Sequence, residues 1–188
     1  MSGAAPGLSV DEILGVLGAG AERPLGPGAV VSLLDHARQT AALLAHLHRG
    51  DGELAAAGLV HDIGHLLPGG TDETHASVAE QAVRGALGER VAAIVALHVE
   101  AKRYLVAAEV GYAGVLGTDS VVSLGRQGGA LSEAEAAAFR ARPWAADALA
   151  LRRADDAGKV EGLEVAELAH WVPLLRELSG EAGARVER

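Results

Sequence analysis

The groups best suited to chemistry lie in one short stretch, His61-Asp62-Ile63-Gly64-His65. A histidine abutting a carboxylate, with a second histidine four residues on, gathers three hard or borderline metal donors at one point. On a helix His61 and His65 share a face while Asp62 projects about 100° away. One helix end then serves two neighbouring ions, with Asp62 as the natural bridge.

Other readings compete. His-Asp is a common dipeptide, and two histidines at this spacing are as readily solvated. The spacing also matches H-E-x-x-H zinc sites, but the intervening acid is Asp, a methylene too short for the general-base position. Further donors stand elsewhere, each with an ordinary alternative. His36 lies between Asp35 and Arg38 and reads by itself as a surface histidine. His75, beside Glu73 and Thr74, reads as exposed. His98 interrupts an apolar face, as a hydrogen-bonded core histidine would. Arg152, Asp155 and Lys159 are spaced as an i,i+3 and i,i+4 ion-pair ladder.

Taken together they are more telling. His36, His61, His75 and His98 with Asp62 and Asp155 supply four His and two Asp, enough for two ions sharing a carboxylate and keeping open positions. Lys102 follows His98 by four residues, and Arg152 precedes Asp155 by three. Cations beside cationic metals make sense when an anion binds there, so a small anionic substrate is expected.

The elements that must position these groups are helices. Asp51 as N-cap and Glu53 in the first turn open a helix to Val60, whose end carries the motif; Gly64 then turns the backbone and Pro68-Gly69-Gly70 stops it. His36 falls on an amphipathic helix over residues 30–48, with His46 and His48 solvated near its end. His75 sits in the first turn of a helix over residues 72–87 capped by Asp72, with Gly88 after it. His98 belongs to a helix over residues 89–109. Thr118-Asp119-Ser120 caps a short helix before Arg126-Gln127-Gly128-Gly129. Capping boxes at Ser9–Glu12 and Ser132–Glu135 open two more, the second ending before Pro143. Trp144 starts the helix that carries Asp155. A last one, over residues 163–178, kinks or restarts at Pro173, with His170 and Trp171 packed structurally. Residues 19–28 read as a loop; residues 1–8 and 180–188 read as disordered tails on a single domain.

Composition agrees with this. Aromatics are 3% of 188 residues, so the core is built of Leu, Val and Ala, which suits an all-α bundle. The absence of cysteine excludes disulfides, iron–sulfur clusters and thiolate zinc sites. No apolar run approaches the ~20 residues that span a bilayer, and no leader pattern opens the chain, so a cytoplasmic protein without membrane association is expected. A net charge of −9 opposes nucleic-acid binding. Nothing in the pattern specifies an oligomeric state.

The sequence resembles the HD-domain superfamily, an all-α helical bundle whose signature, a first His, a His-Asp pair and a late Asp, is matched by His36, His61-Asp62 and Asp155. Within it the stretches LDHARQTA, LVHDIGHLL, LHVEAKRYL, DSVVSLGRQGG and LRRADDAGKV are similar to the mixed-valent di-iron oxygenases that cleave organophosphonates, distant relatives of myo-inositol oxygenase. The resemblance implies two irons between the helices, one held by His36, His61 and Asp155, the other by His75 and His98, with Asp62 bridging and Asp156 as the alternative to Asp155. It implies that His65, Lys102, Ser120, Ser123, Gln127 and Arg152 bind substrate, His65 and Lys102 also acting at the reacting centre. The implied reaction is oxidation of a small 1-hydroxyphosphonate by O2 to a carboxylate and phosphate. Most superfamily members are phosphohydrolases, so a metal-dependent phosphohydrolase for a small phosphomonoester or nucleotide is the leading alternative. A non-catalytic scaffold is the weakest, since no ligand is missing.

One departure stands out. The phosphonate oxygenases carry a Tyr ten residues before the first His, which occupies the open iron position, and a Glu seven before it, which receives the substrate's amino group. Here these positions are Gly26 and Ala29. No side chain of residues 19–29 is therefore expected on iron, and a substrate other than the 2-amino-1-hydroxyethyl compound is expected.

Overall fold

A central helix made mostly of small apolar residues organises the molecule. The computed structural model of the protein describes residues 7–26 and 28–181, and the regular elements among them are all helical. They are α1 (Val10–Ala19), α2 (Leu33–Leu47), α3 (Gly52–Val60), α4 (His75–Ala108), α5 (Thr118–Arg126), α6 (Glu133–Arg140), α7 (Ala145–Ala157) and α8 (Leu168–Leu178), with short 3-10 turns at Gly20–Glu22, Ile63–Leu66 and Tyr112–Val115. None of these helices is long and apolar enough to cross a membrane.

α3 is buried on every side from Leu54 to Val60, which is why its sequence is apolar all round and shows no amphipathic period. It packs against α2, α4, α7 and α8. Its small residues set the spacing: a Cβ on Gly58 would stand 2.7 Å from Leu44 Cδ1 and 3.2 Å from Ala41 Cα, so α2 and α3 approach through a glycine. Leu44, Ile94 and Leu151 share the core with its Leu59. The most buried helix of the bundle thus ends at His61.

α4 bends where the sequence puts a glycine. Gly88 has φ +86° and ψ 173°, a conformation an L side chain rarely adopts, and it divides the His75 segment from the His98 segment. The capping boxes at Ser9–Glu12 and Ser132–Glu135 and the Asp51 cap, which accepts the Leu54 N–H at 3.0 Å, form as their sequences imply.

Several local expectations need correction. Asp72 is not a cap: the helix begins at His75 behind Thr74, and the Asp72 carboxylate pairs with Arg126 at 2.5 Å. Gly64 is needed for packing rather than for a turn, since a Cβ there would stand 2.0 Å from the His75 carbonyl oxygen. α2 starts at Leu33 on a Ser32 cap, leaving Val30 outside it and exposed. α8 begins only at Leu168 and carries Pro173 inside it. His170 is exposed, its ring set edge-on to buried Trp171. Leu8 is not loose, because its N–H donates to the Ala82 carbonyl at 2.8 Å and its side chain packs on the core. At the other end Gly180 and Glu181 are described, with Glu181 paired to Arg176 at 3.1 Å, and residues 1–6 and 182–188 of the expected tails lie outside the described residues.

Candidate metal centre

Four imidazoles from α2, the end of α3 and both segments of α4 converge on the Asp62 carboxylate. Asp62 Oδ2 lies 3.6 Å from His36 Nε2 and 3.5 Å from His61 Nε2. Its Oδ1 lies 3.6 Å from His75 Nε2 and 3.7 Å from His98 Nε2. Each oxygen of one carboxylate therefore faces its own histidine pair. Asp155 Oδ1 joins the first pair, 3.2 Å from His36 Nε2 and 3.9 Å from His61 Nε2.

Every ring is oriented through its other nitrogen. Nδ1 of His36 donates to the Gly158 carbonyl at 2.8 Å, Nδ1 of His61 to Gly58 at 2.8 Å, and Nδ1 of His98 to Val95 at 2.6 Å. Nδ1 of His75 is shared between the carbonyls of Thr71 and Asp72 at 3.2 and 3.1 Å. A carbonyl only accepts, so the proton sits on Nδ1 and each Nε2 presents a lone pair. Yet Nε2 of His36 and His61 are 3.2 Å apart, and those of His75 and His98 3.0 Å. Two lone pairs facing each other repel, whereas a cation ~2.1 Å from each nitrogen spaces adjacent ligands at about 3 Å. The donor set fits two metal ions.

The electrostatics agree. Burial pushes the imidazolium forms of His61, His75 and His98 down, so these rings are neutral ligands rather than cations. Burial alone would raise the Asp62 carboxyl, but His61, His65 and His75 outweigh it and hold it well below the usual range. Asp155 is likewise held down against burial, here by Arg152 and Lys159. Arg152 Nη1 reaches Asp155 Oδ2 at 2.5 Å, and Lys159 Nζ reaches Oδ1 at 2.9 Å. Asp156, the sequence alternative, turns away to Arg152 and the Tyr112 hydroxyl.

Beside the cluster opens a cavity of about 220 Å³ lined by His65, Lys102, Ser120, Ser123, Gln127 and Arg152, together with Asp62, His75, His98 and Asp155. His65 does not join the donors: it stacks on His75 with ring centroids 4.1 Å apart. Lys102 is 3% exposed, and its ammonium donates to Ser123 Oγ at 2.7 Å with no carboxylate within 4.0 Å among the described residues. Burial and then Arg152 push it down to about 8. Gln127 Nε2 donates to the Asp72 carbonyl at 2.6 Å, the same carbonyl that orients His75. Ser120 Oγ accepts from Arg152 Nη2 at 3.3 Å.

The described residues of the loop before α2 bring no phenol or carboxylate into the cavity; Arg23, Pro24 and Leu25 line it. A Cβ on Gly26 would stand 2.2 Å from Asp119 Oδ2, so α5 fills the space above that glycine. Arg23, Asp119, Lys159 and Tyr112 were not legible as site residues. Lys159 alone carried a spacing signal, and it reaches Asp155 from beyond the end of α7.

The HD domain family model matches residues 33–156. The chain belongs to the HD domain family. This HD domain is 37% identical over 150 residues to the hydroxymethylphosphonate dioxygenase of Gimesia maris, a match covering 75% of this chain and 74% of the relative. It is 28% identical over 159 residues, 80% of this chain and 81% of the relative, to the glycine-betaine-forming [1-hydroxy-2-(trimethylamino)ethyl]phosphonate dioxygenase of Leisingera caerulea.

Proposed function

We propose that this HD domain is an O2-dependent dioxygenase that cleaves the C–P bond of a small 1-hydroxyphosphonate, giving a carboxylate and phosphate. The balance closes without other reactants: hydroxymethylphosphonic acid and O2 together contain the atoms of formic and phosphoric acids. The carbon and the C–P bond are oxidised, and O2 is reduced.

In this reading one ion is held by His36, His61 and Asp155, the other by His75 and His98, and Asp62 bridges. An all-nitrogen-and-oxygen donor set without thiolate suits iron, and a ferrous–ferric pair would supply the chemistry that takes up O2. The remaining work belongs to side chains. Lys102 meets the phosphonate as an ammonium with no competing carboxylate, and Arg152 holds Asp155 while edging the same anion. Ser120, Ser123 and Gln127 offer hydrogen bonds to the phosphonate oxygens. His65, stacked on His75, covers one face of that ring and limits water at the reacting carbon.

The observation that carries this reading is Lys102. A buried ammonium satisfied only by a hydroxyl, in the same cavity as a two-ion donor cluster, calls for a small anion that also touches the metals. The relative that acts on hydroxymethylphosphonate favours the smallest such anion, and Ala29 stands at the position where the phosphonate oxygenases carry the amine-receiving Glu.

The test is O2 consumption and phosphate release with hydroxymethylphosphonate, 2-amino-1-hydroxyethylphosphonate and the trimethylated analogue, beside phosphomonoesters without oxygen. The reading expects phosphate only with O2 present, and hydroxymethylphosphonate preferred. Anaerobic phosphomonoester turnover would make the protein a phosphohydrolase, which the same cavity could serve.

A further inference from the structure

Four cations line the metal cavity, Arg23, Lys102, Arg152 and Lys159, but they are not equally free. Arg152 is engaged by Asp155 and Asp156, and Lys159 sits 2.9 Å from Asp155. Their charge is largely spent inside the protein. A dianion entering the cavity meets only two cations that have no carboxylate within 4.0 Å among the described residues. One is Lys102, in the interior. The other is Arg23, at the exposed rim.

Arg23 is held there by its backbone. Its carbonyl accepts the Leu33 N–H at 2.8 Å, and the Leu25 N–H donates to the Val31 carbonyl at 2.9 Å. These bonds, with the bridge between Pro24 and Ser32, lay residues 23–25 antiparallel to residues 31–33. Leu33 opens α2, the helix of His36, so the rim is tied to a donor helix without using the Arg23 side chain. That side chain is left with one long bond, Nη2 to the His65 carbonyl at 3.5 Å, while a guanidinium carries five N–H donors. The contact places it beside the residue that stacks on His75.

We infer that Arg23 is a substrate-anchoring residue, gripping the phosphonate from the rim while Lys102 grips it from within. The assignment rests on the proposed anionic substrate and gives this loop a role of its own: it supplies a cation to the substrate, not a side chain to a metal. A planar fork suits two oxygens of one phosphonate, which a single ammonium does not match.

The probe is inorganic phosphate, a product under the oxygenase and the phosphohydrolase readings alike, titrated calorimetrically into the metal-loaded full chain. Arg23→Ala should weaken phosphate binding by ~10-fold, the loss expected for one charge-assisted contact, with metal content unchanged. Arg23→Lys should recover part of the affinity and Arg23→Gln little. With hydroxymethylphosphonate the loss should fall on KM more than on kcat. Because the loop ladder uses main-chain groups only, these variants keep the fold, which circular dichroism and metal analysis check. Phosphate affinity within about twofold of the parent in Arg23→Ala, at equal metal content, would overturn the assignment. If no hydroxyphosphonate is oxidised but phosphate binding still depends on Arg23, the functional reading fails and the anchor stands. If turnover is found and Arg23→Ala keeps the parent KM, the anchor fails and the reading stands.

Discussion

The two histidine pairs offer the same imidazole donors, yet the structure surrounds them differently. His36 and His61 are fully buried behind the cavity wall, and Asp155 faces them with Oδ1, which Lys159 also contacts, while Arg152 holds its Oδ2. His75 and His98 form part of the cavity lining and, among the described residues, share only the Asp62 carboxylate. A pair with more protein donors and less solvent is built for retention. A pair with fewer donors beside a cavity keeps positions open for a ligand. The difference teaches that chemically alike donor pairs can sit in unlike surroundings, which under the proposed function would divide them into a holding half and a reacting half.

The strongest way to break this comparison is to remove ligands one half at a time. Asp62→Ala takes the oxygen facing each pair and should empty both halves, reducing turnover to background. His75→Ala should leave one ion bound with the first pair, whereas His61→Ala should compromise both, since the second pair with only the shared Asp62 is a poor site by itself. Metal analysis after gel filtration decides it. Equal loss from the two histidine variants would abolish the distinction.

A less severe test displaces the second pair without touching a ligand. Gly64→Ala puts a Cβ against the His75 backbone and should shift that ring alone, lowering affinity for the second ion by ~10–100-fold while the first ion stays. Competitive chelation reads the two ions separately.

Lys102 sharpens the comparison from the substrate side. Lys102→Ala should weaken hydroxyphosphonate binding by ~10-fold or more and spare both metals, because among the described residues its ammonium bonds Ser123 and none of the candidate ligands. Its pH behaviour follows from burial, which lowers its titration to about 8 from an ordinary 10.5. The binding-competent form is the protonated one, so affinity should hold below pH 8 and fall as pH rises through it. The sign for folding is opposite. Above pH 8 the unfolded chain retains the proton that the folded one has lost, so the metal-free protein should gain stability from pH 8 towards 10.5. Lys102→Met should remove both effects, and its comparison with the parent cancels the ligand's own titration.

The smallest effect is expected at Tyr112, whose hydroxyl donates to Asp156 and lies 3.4 Å from Arg152 Nε. Burial raises this phenol well above its usual range, so it remains a neutral donor. Tyr112→Phe should loosen Arg152 and cost about 1 kcal/mol, roughly fivefold in kcat/KM, without loss of metal. An unchanged kcat/KM would show that Asp155 needs no support from that side.

Much of this was readable along the chain. Capping boxes, the Asp51 cap, the apolar α3 and the break at Gly88 are local features, governed by residues within a turn or two. The ligand-type residues were recognisable for the same reason, since donor chemistry belongs to the side chain itself. Asp72 misled because a good cap residue can find a better partner elsewhere, here Arg126. Gly64 misled because a glycine in a sequence advertises conformational freedom, while its use here is to admit the backbone of a residue eleven positions away.

By itself, then, the sequence determined the helices, the kink and the kinds of atom available to a metal and an anion. Only the tertiary structure decided which carboxylate oxygen faces which histidine pair, which cations are already spent on Asp155 and Asp156, and that Arg23 and Asp119 share the rim of one cavity. The reason is physical. Propensity, capping and donor chemistry act between neighbours along the chain, whereas ring orientation, desolvation and ion pairing depend on carbonyls and charges brought from distant helices. Gly158, whose carbonyl turns His36 towards the metals, stands 122 residues from the ring that it orients.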